Sequence, residues 1–362
     1  MKKFRIPLLI LAILAIIILI VANYQSNKEF RSKENNFAVE DTASITKFFL
    51  ADRIDRYIKC TRQDDGKWII NDTFPANKEV VDMLLSTFAT LDVKYPVSNA
   101  ATENIIKSLS VNSVKTEIYQ KVYRINLFNR IKLFPREKLT RTYYVGSETM
   151  DKLGSFLIME GSKQPYVVSI PGLRGFISTR YTTNILNWRN RNLINMRLNE
   201  IKQISLVYPD EPTESFTLVN NNNKSISLFT YPHKKQIHDF DTLKAIQYFN
   251  NFKDLNCEAV RDDFSQAKLD SLNNQTPYFS LEITDFNNKT LELKAWKRKA
   301  APGAINIDDG SDLEYDPDRM FATLSTTRDV YVIQYYAFGN IILPIDWFDK
   351  NWKEKLDIVD IF

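Results

Sequence analysis

The sequence predicts an α+β protein in which one N-terminal transmembrane helix is followed by two tandem repeats of an antiparallel-sheet-plus-helix unit. Three observations support this fold class: an uncharged apolar run near the N-terminus, an order of strands and helices that occurs twice, and strands in which apolar and polar residues alternate. We therefore divide the chain into a transmembrane anchor (1–22), a tether (23–40), a first repeat (41–195) and a second repeat (196–362).

The apolar run covers Ile6 to Ala22 and contains no charged residue. Such a run is at the lower limit for a membrane span, and its helix would satisfy its own backbone hydrogen bonds in hydrocarbon. Lys2, Lys3 and Arg5 precede it. By the positive-inside rule the N-terminus is cytoplasmic, and the body lies in the periplasm, held by a single pass of the bacterial inner membrane. The alternative is a cleaved signal peptide, although Ile20-Val21-Ala22 is a poor cleavage site.

The first repeat opens with a predicted meander that turns at Asp64-Asp65-Gly66. Asn77 then caps a helix with apolar residues at helical spacing, and a second helix is predicted from Thr102 to Leu109. The later predicted strands are Val114 to Tyr119, Tyr123 to Phe128, Arg141 to Val145 and Tyr166 to Ile170.

The second repeat shows the same order about 155 to 165 residues later. A strand from Ile201 to Tyr208 precedes a hairpin that turns at residues 220–223. The helix around Asp241 to Phe252 is predicted to place four apolar residues on one side: Leu243, Ile246, Phe249 and Phe252. A helix from Ser265 to Leu272 follows, and the later predicted strands are Tyr278 to Thr284, Thr290 to Trp296, Met320 to Leu324 and Val330 to Tyr335.

The order of elements resembles the bacterial family called domain of unknown function 4340. The resemblance rests on the leading membrane helix, on Asp65-Gly66-Lys67-Trp68 before a helix, on the Tyr166 strand, and on the segment from Trp188 to Ile194. It extends from about Phe37 to Trp347. Members are often encoded beside components of ATP-binding-cassette (ABC) export systems, some linked to gliding motility in Bacteroidota. The resemblance therefore implies an envelope complex as the setting.

Composition narrows the function further. The formal net charge of +4 is small for 362 residues and gives no electrostatic footprint for nucleic-acid binding. Two cysteines, Cys60 and Cys257, are too few for a disulfide scaffold, although a bridge between them stays open for a protein outside the cytoplasm. We predict no catalytic residue and no cofactor.

An acidic segment runs from Asp308 to Asp318 and supplies oxygen ligands of the kind that Ca²⁺ prefers. Its spacing is not that of an EF-hand, and the alternative is a solvated loop between two strands. The candidate calcium ligands are Asp308, Asp309, Asp312, Glu314 and Asp316.

A basic stretch runs from Lys121 to Arg141, with Glu137 as its single acid and with aromatic residues interleaved. Arginine beside aromatic residues suits a protein partner or anionic lipid headgroups. The alternative is a hairpin whose charges are only solvated. The candidate surface consists of Arg124, Arg130, Lys132, Arg136 and Lys138.

Together these patterns favour a non-enzymatic, membrane-tethered, extracytoplasmic binding or assembly protein, accessory to an ABC-type transport or gliding/envelope complex. The expected contacts are the membrane, through one N-terminal helix, and protein partners in the envelope. The alternative is an extracytoplasmic enzyme whose site is built from scattered carboxylates. A deep cleft with paired, perturbed acids would favour the enzyme.

Overall fold

The computed structural model of the chain describes residues 35–127, 131–222, 225–307 and 309–352. The chain divides between Asn190 and Arg191 into two compact units, which we call unit 1 and unit 2. Both combine helices with antiparallel sheets, which confirms the predicted α+β class.

Within the described ranges, no helix is long and apolar enough to cross a membrane. The predicted anchor at 6–22 lies outside those ranges, as does most of the predicted tether.

Unit 1 contains a sheet of nine strands in its described part, in the order β4-β3-β2-β1-β6-β7-β8-β9-β5. Its strands are β1 (Ile45–Ala51), β2 (Tyr57–Arg62), β3 (Trp68–Ile70), β4 (Phe74–Pro75), β5 (Asp92–Pro96), β6 (Val114–Leu127), β7 (Ile131–Glu148), β8 (Ser155–Met159) and β9 (Tyr166–Ser169). Its helices are α1 (Lys78–Thr90), α2 (Asn99–Val111) and α3 (Ile185–Trp188), with short 3₁₀ helices at Thr42–Ser44 and Ser178–Arg180.

The core of unit 1 forms between the sheet and α1. Asn77 caps α1 as predicted, since its side-chain oxygen accepts from the backbone N–H groups of Glu79 and Val80. The helix buries one stripe, which includes Leu84 and Phe88. Burial of this stripe against the sheet contributes to the hydrophobic stabilisation of the unit.

Unit 2 contains a second sheet of nine described strands, in the order β14-β13-β12-β11-β17-β18-β19-β20-β16, and a two-stranded sheet of β10 and β15. Its strands are β10 (Asn192–Ile194), β11 (Ile201–Val207), β12 (Phe216–Asn220), β13 (Ile226–Thr230), β14 (Gln236–Ile237), β15 (Leu255–Asn256), β16 (Ala259–Arg261), β17 (Phe279–Asp285), β18 (Thr290–Lys299), β19 (Tyr315–Leu324) and β20 (Val330–Gln334). Its helices are α4 (Thr242–Asn250), α5 (Gln266–Asn273) and α6 (Tyr335–Phe338), with 3₁₀ helices at Pro212–Glu214, Asn251–Lys253 and Ile345–Phe348.

The two large sheets have the same strand order when β1 is matched with β11, β5 with β16, and β6 with β17. The ladders agree in detail as well. The pairing of β1 with β6 shifts register between Ile45 and Lys47, and the pairing of β11 with β17 shifts between Ile201 and Gln203. Such an irregularity redirects side chains, so its recurrence identifies equivalent positions in the two sheets.

Three details differ from the sequence predictions. Residues 114–127 form one continuous strand rather than two, because β6 pairs with β7 on both sides of Arg124, from Lys121 opposite Glu137 to Leu127 opposite Ile131. In α4 the buried residues are Ala245, Tyr248 and Phe249, whereas Leu243 is 77% exposed. The units divide a few residues before the predicted boundary at 195, because β10 pairs with β15 of unit 2.

Candidate functional site

The predicted basic stretch forms the far end of the β6–β7 hairpin. β6 pairs with β1 as far as Gln120, and β7 pairs with β8 only from Tyr143 onward. Residues 121–127 and 131–138 therefore form ladder pairs only with each other in the part of the chain that the structure describes. We call these two segments the arm.

In the described part of unit 2, the equivalent hairpin has no extension like the arm. Lys47 pairs with Tyr119 in unit 1, and Gln203 pairs with Thr284 in unit 2, just after the shared register shift. Across the hairpin, Tyr119 is opposite Leu139, whereas Thr284 is opposite Thr290. Residues 120–138 thus occupy the place that residues 285–289 close with a short turn in unit 2.

The arm exposes basic and apolar side chains next to each other. Arg124, Lys132 and Arg136 are exposed, and so are Leu133, by 46%, and Phe134, by 64%. Lys138 is half-buried, and Arg130 lies outside the described residues. The arrangement provides positive charge together with apolar surface, a combination found at partner and lipid surfaces.

Phe134 has a backbone φ of 57°. A large aromatic residue in the left-handed region is uncommon, because its Cβ crowds the backbone. The conformation brings strain to a position where an aromatic side chain faces solvent, and strained positions of this kind cluster at functional sites.

The base of the arm is attached to β1 through Glu137. Its carboxylate accepts hydrogen bonds from Lys47 Nζ at 2.6 Å and from Thr46 Oγ1 at 2.7 Å. Partial burial opposes ionisation, but these two donors prevail and lower the pKa of Glu137 below its usual range. The single acid of the basic stretch is therefore ionised and paired with Lys47.

Gln120 forms a second attachment at the base. Its amide nitrogen donates to Ser44 Oγ at 2.7 Å, and its amide oxygen accepts from Thr140 Oγ1 at 2.5 Å. Ser44 in turn donates to the carbonyl of Asp41. The segment that leads into β1 therefore packs against the base of the arm.

Arg141 is the last residue of the predicted basic stretch, but in the structure it is buried. Its side chain is 8% exposed, and its Nη1 donates to the carbonyl of Thr140 at 2.9 Å. Burial lowers the pKa of Arg141, since it disfavours the charged form. The exposed basic surface therefore stops before Thr140.

The acidic segment extends from the connection between β18 and β19 into the start of β19, where Asp316 and Asp318 lie. Asp309 Oδ1 accepts from the backbone N–H and the hydroxyl of Ser311, and Asp316 Oδ1 accepts from the backbone N–H groups of Asp318 and Arg319. Asp312 and Glu314 are exposed. Asp308 lies outside the described residues, so the calcium site stays a prediction. Within the described ranges, no group of three His, Cys, Asp or Glu residues is placed to hold a metal ion.

Each unit has an open surface concavity outside the arm. In unit 2, a concavity of about 310 Å³ lies between α5 and the β18–β19 strands and includes Glu292, Lys294 and Asp329. In unit 1, a concavity of about 470 Å³ lies beside β5 and includes Tyr95 and Met150. Glu292 pairs with Lys294 at 3.1 Å.

The two cysteines of the chain, Cys60 and Cys257, are both buried. Burial raises the pKa of the Cys60 thiol, because the thiolate would lose its hydration. A thiol in this state is a poor nucleophile.

The fold and the arm define a class of protein: two antiparallel α+β units of equal strand order, one of which has an extended basic hairpin. The family model described as Domain of unknown function (DUF4340) matches residues 68–277, and the chain belongs to this family. The matched region runs from β3 of unit 1 to the residues just before β17 of unit 2 and includes the arm. Comparison with curated proteins and with solved structures gave no match.

Proposed function

We propose that this chain is a non-enzymatic, membrane-tethered binding or assembly protein of the bacterial envelope, with a cytoplasmic N-terminus and a periplasmic body. The observation that supports this function is the arm, an exposed basic and apolar surface on a unit that already has a closed core. The apolar run at 6–22 supplies the tether in this proposal.

The comparison between units supports a binding role for the arm. Equal strand order and a shared register shift favour two tandem repeats of one fold. Unit 2 closes the equivalent hairpin with a short turn, so the fold does not need the extension. None of the residues beyond Gln120 in the arm belongs to the core cluster of unit 1. Surface elaborations of a scaffold often carry its function.

The proposed setting is a membrane complex, such as an ABC-type transporter or a gliding/envelope assembly. This setting follows from the family resemblance and from the proposed tether. In such a complex the body would present the arm to an anionic component of the envelope, because opposite charge favours encounter and correct orientation.

Site-specific crosslinking in the native membrane tests the proposal. A photoreactive residue replaces Arg136 in the arm of the full-length chain, and in a control chain it replaces Ile307, which is exposed in unit 2. We expect the chain to remain in the membrane after carbonate extraction. We also expect an adduct with a protein or a lipid from position 136 but not from position 307.

A chain without the arm provides the matched control. Residues 120–138 are replaced by Asp285-Phe286-Asn287-Asn288-Lys289, the turn that unit 2 uses at the equivalent place. This chain should fold and stay in the membrane, and it should lose function in a cell that depends on the protein. Release of the full-length chain by carbonate would contradict the tether, and full function without the arm would contradict its role.

A further inference from the structure

We propose that the arm docks on anionic phospholipid headgroups of the membrane that holds the chain. This inference rests on the proposed function and names the ligand of its binding surface. Three features of the described residues support it: the charge of the arm, its exposed apolar residues, and the place where the N-terminal segment joins the fold.

The net charge of the arm is positive. Arg124, Lys132 and Arg136 are exposed, while Glu137 is paired with Lys47 and faces the base rather than acting as a free anion. Near an anionic membrane, each lysine or arginine strengthens association by about fivefold. Together these three residues strengthen association by about 100-fold.

The apolar residues distinguish a membrane from an acidic protein segment as the ligand. Leu133 and Phe134 are adjacent, both are about half exposed or more, and both lie between Lys132 and Arg136. Interfacial membrane-binding elements place apolar side chains in the headgroup region while flanking basic residues contact the phosphates. Purely electrostatic binding to an acidic peptide would not need an exposed phenylalanine in a strained conformation.

The N-terminal segment joins the fold beside the arm. Gln120, at the base of the arm, donates to Ser44, and Ser44 donates to Asp41. Twelve residues, 23–34, separate the end of the predicted anchor from Asn35, and they can span at most about 40 Å. The base of the arm is therefore confined near the bilayer, which gives the headgroups a high effective concentration.

Fluorescence quenching in vesicles tests the inference on the full-length chain. Leu133→Cys carries an environment-sensitive fluorophore, and Ile307→Cys carries the same label as a control. Both native cysteines are buried, so the introduced thiol reacts first. The chain is reconstituted in phosphatidylcholine vesicles with or without 30 mol% (about one lipid in three) phosphatidylglycerol, and the quencher is a headgroup spin label.

We expect strong quenching at position 133 in the anionic vesicles and weak quenching in phosphatidylcholine alone. At position 307 the quenching should be the same in both lipid compositions. The triple variant Arg124→Gln, Lys132→Gln, Arg136→Gln should weaken association of the arm by about 100-fold. A control variant removes the same charge from exposed residues outside the arm and should change association of the arm little: Lys67→Gln, Lys107→Gln, Lys152→Gln. High salt should reverse the quenching, since exposed charges are screened.

The outcomes separate this inference from the proposed function. Equal quenching at position 133 in both lipid compositions would overturn the lipid inference. If the crosslinking experiment then gives a protein adduct from position 136, the binding role stands and the ligand is a protein. If carbonate releases the chain from the vesicles, the tether is wrong and the proposed function fails independently of the quenching.

Discussion

Lys47 of β1 and Glu137 of β7 form an ion pair with 2.6 Å between Nζ and Oε1. Thr46 binds the second oxygen of the same carboxylate at 2.7 Å. Two consecutive residues of β1 thereby hold the base of the arm, next to Ile45 and Gln120, the last ladder pair between β1 and β6. This contact connects the fold that the two units share to the arm of unit 1.

We predict that Glu137→Gln loosens the arm with little effect on the rest of unit 1. Loss of a partly exposed ion pair changes global stability by about 1 kcal/mol or less. Hydrogen exchange of the amides in residues 121–127 should become faster. Asp82→Asn, which breaks the exposed pair with Lys78 on α1, should leave exchange in the arm unchanged. Equal exchange in the arm of the Glu137 variant and the natural chain would contradict the prediction.

A second prediction concerns acid stability. Burial opposes the charge of Asp52, but hydrogen bonds from Thr183, from Arg56 and from two backbone N–H groups lower its pKa to about 2. The lowered pKa stabilises the folded state at pH values above the pKa of the unfolded state, near 4. This stabilisation is lost as the pH falls toward 2. Unit 1 should therefore lose about 1 to 2 kcal/mol between pH 4 and pH 2 from this group.

Asp52→Asn provides the test, with denaturant unfolding of unit 1 followed at several pH values. The variant should be less stable than the natural chain at pH 7, and the difference should shrink as the pH approaches 2. A difference that is the same at pH 7 and at pH 2.5 would show that the carboxylate charge is not the source.

A third prediction concerns the close contact between α2 and β7. A Cβ atom on Gly146 would lie 2.5 Å from Leu109 Cδ2 and 3.2 Å from the carbonyl oxygen of Phe156. Gly146→Ala should therefore destabilise unit 1 by about 1 to 3 kcal/mol. In a Leu109→Ala background the same change should cost much less, because the clashing side chain is gone. Additive effects in this double-mutant cycle, measured by denaturant unfolding, would contradict the packing.

A fourth prediction compares two helix caps in unit 1. Asn77 accepts from two backbone N–H groups at the start of α1, whereas the side chain of Ser98 forms no cap hydrogen bond at the start of α2. Asn77→Ala should cost about 1 kcal/mol, and Ser98→Ala should cost little. Urea unfolding of the two variants checks the difference. A Ser98→Ala loss as large as that of Asn77→Ala would contradict this difference between the two caps.

Local patterns predicted most of the elements because each depends on residues close in sequence. Asn77 was predicted as a cap, since a side-chain oxygen before an apolar helical stripe satisfies the first N–H groups. Asp241, predicted only as the start of a helix, caps α4 in the same way. The alternation in Phe279, Leu281 and Ile283 predicted a strand with one buried face, and all three are buried.

The local sequence pattern did not predict the buried face of α4 correctly. Leu243 and Ile246 fit an apolar stripe, yet the helix buries Ala245 and Tyr248 instead. Tyr248 can be buried because its hydroxyl donates to the carbonyl of Ile341 at 2.8 Å. That carbonyl is distant in sequence, and so the pattern within the helix could not indicate it.

The candidate surface was found in part. The sequence located the basic residues from Arg124 to Lys138, but the prediction interrupted β6 at residues 120–122 and began the next strand only at Arg141. Charges on an extension with two solvated faces lack the alternation of a half-buried strand. Comparing the lengths of the two repeats at this hairpin would have revealed the extension. The local sequence pattern did not indicate that Arg141 is buried.

The α+β class, the order of the elements and the charge of the candidate surface could be predicted from the sequence, because they depend on periodicity, caps and composition. The neighbouring strands, the continuation of β6 and β7 past the sheet, and the ion pair between Glu137 and Lys47 became visible in the folded chain. These features join residues far apart in the chain. Their free energy comes from burial and ladder hydrogen bonds that exist only after the distant segments meet.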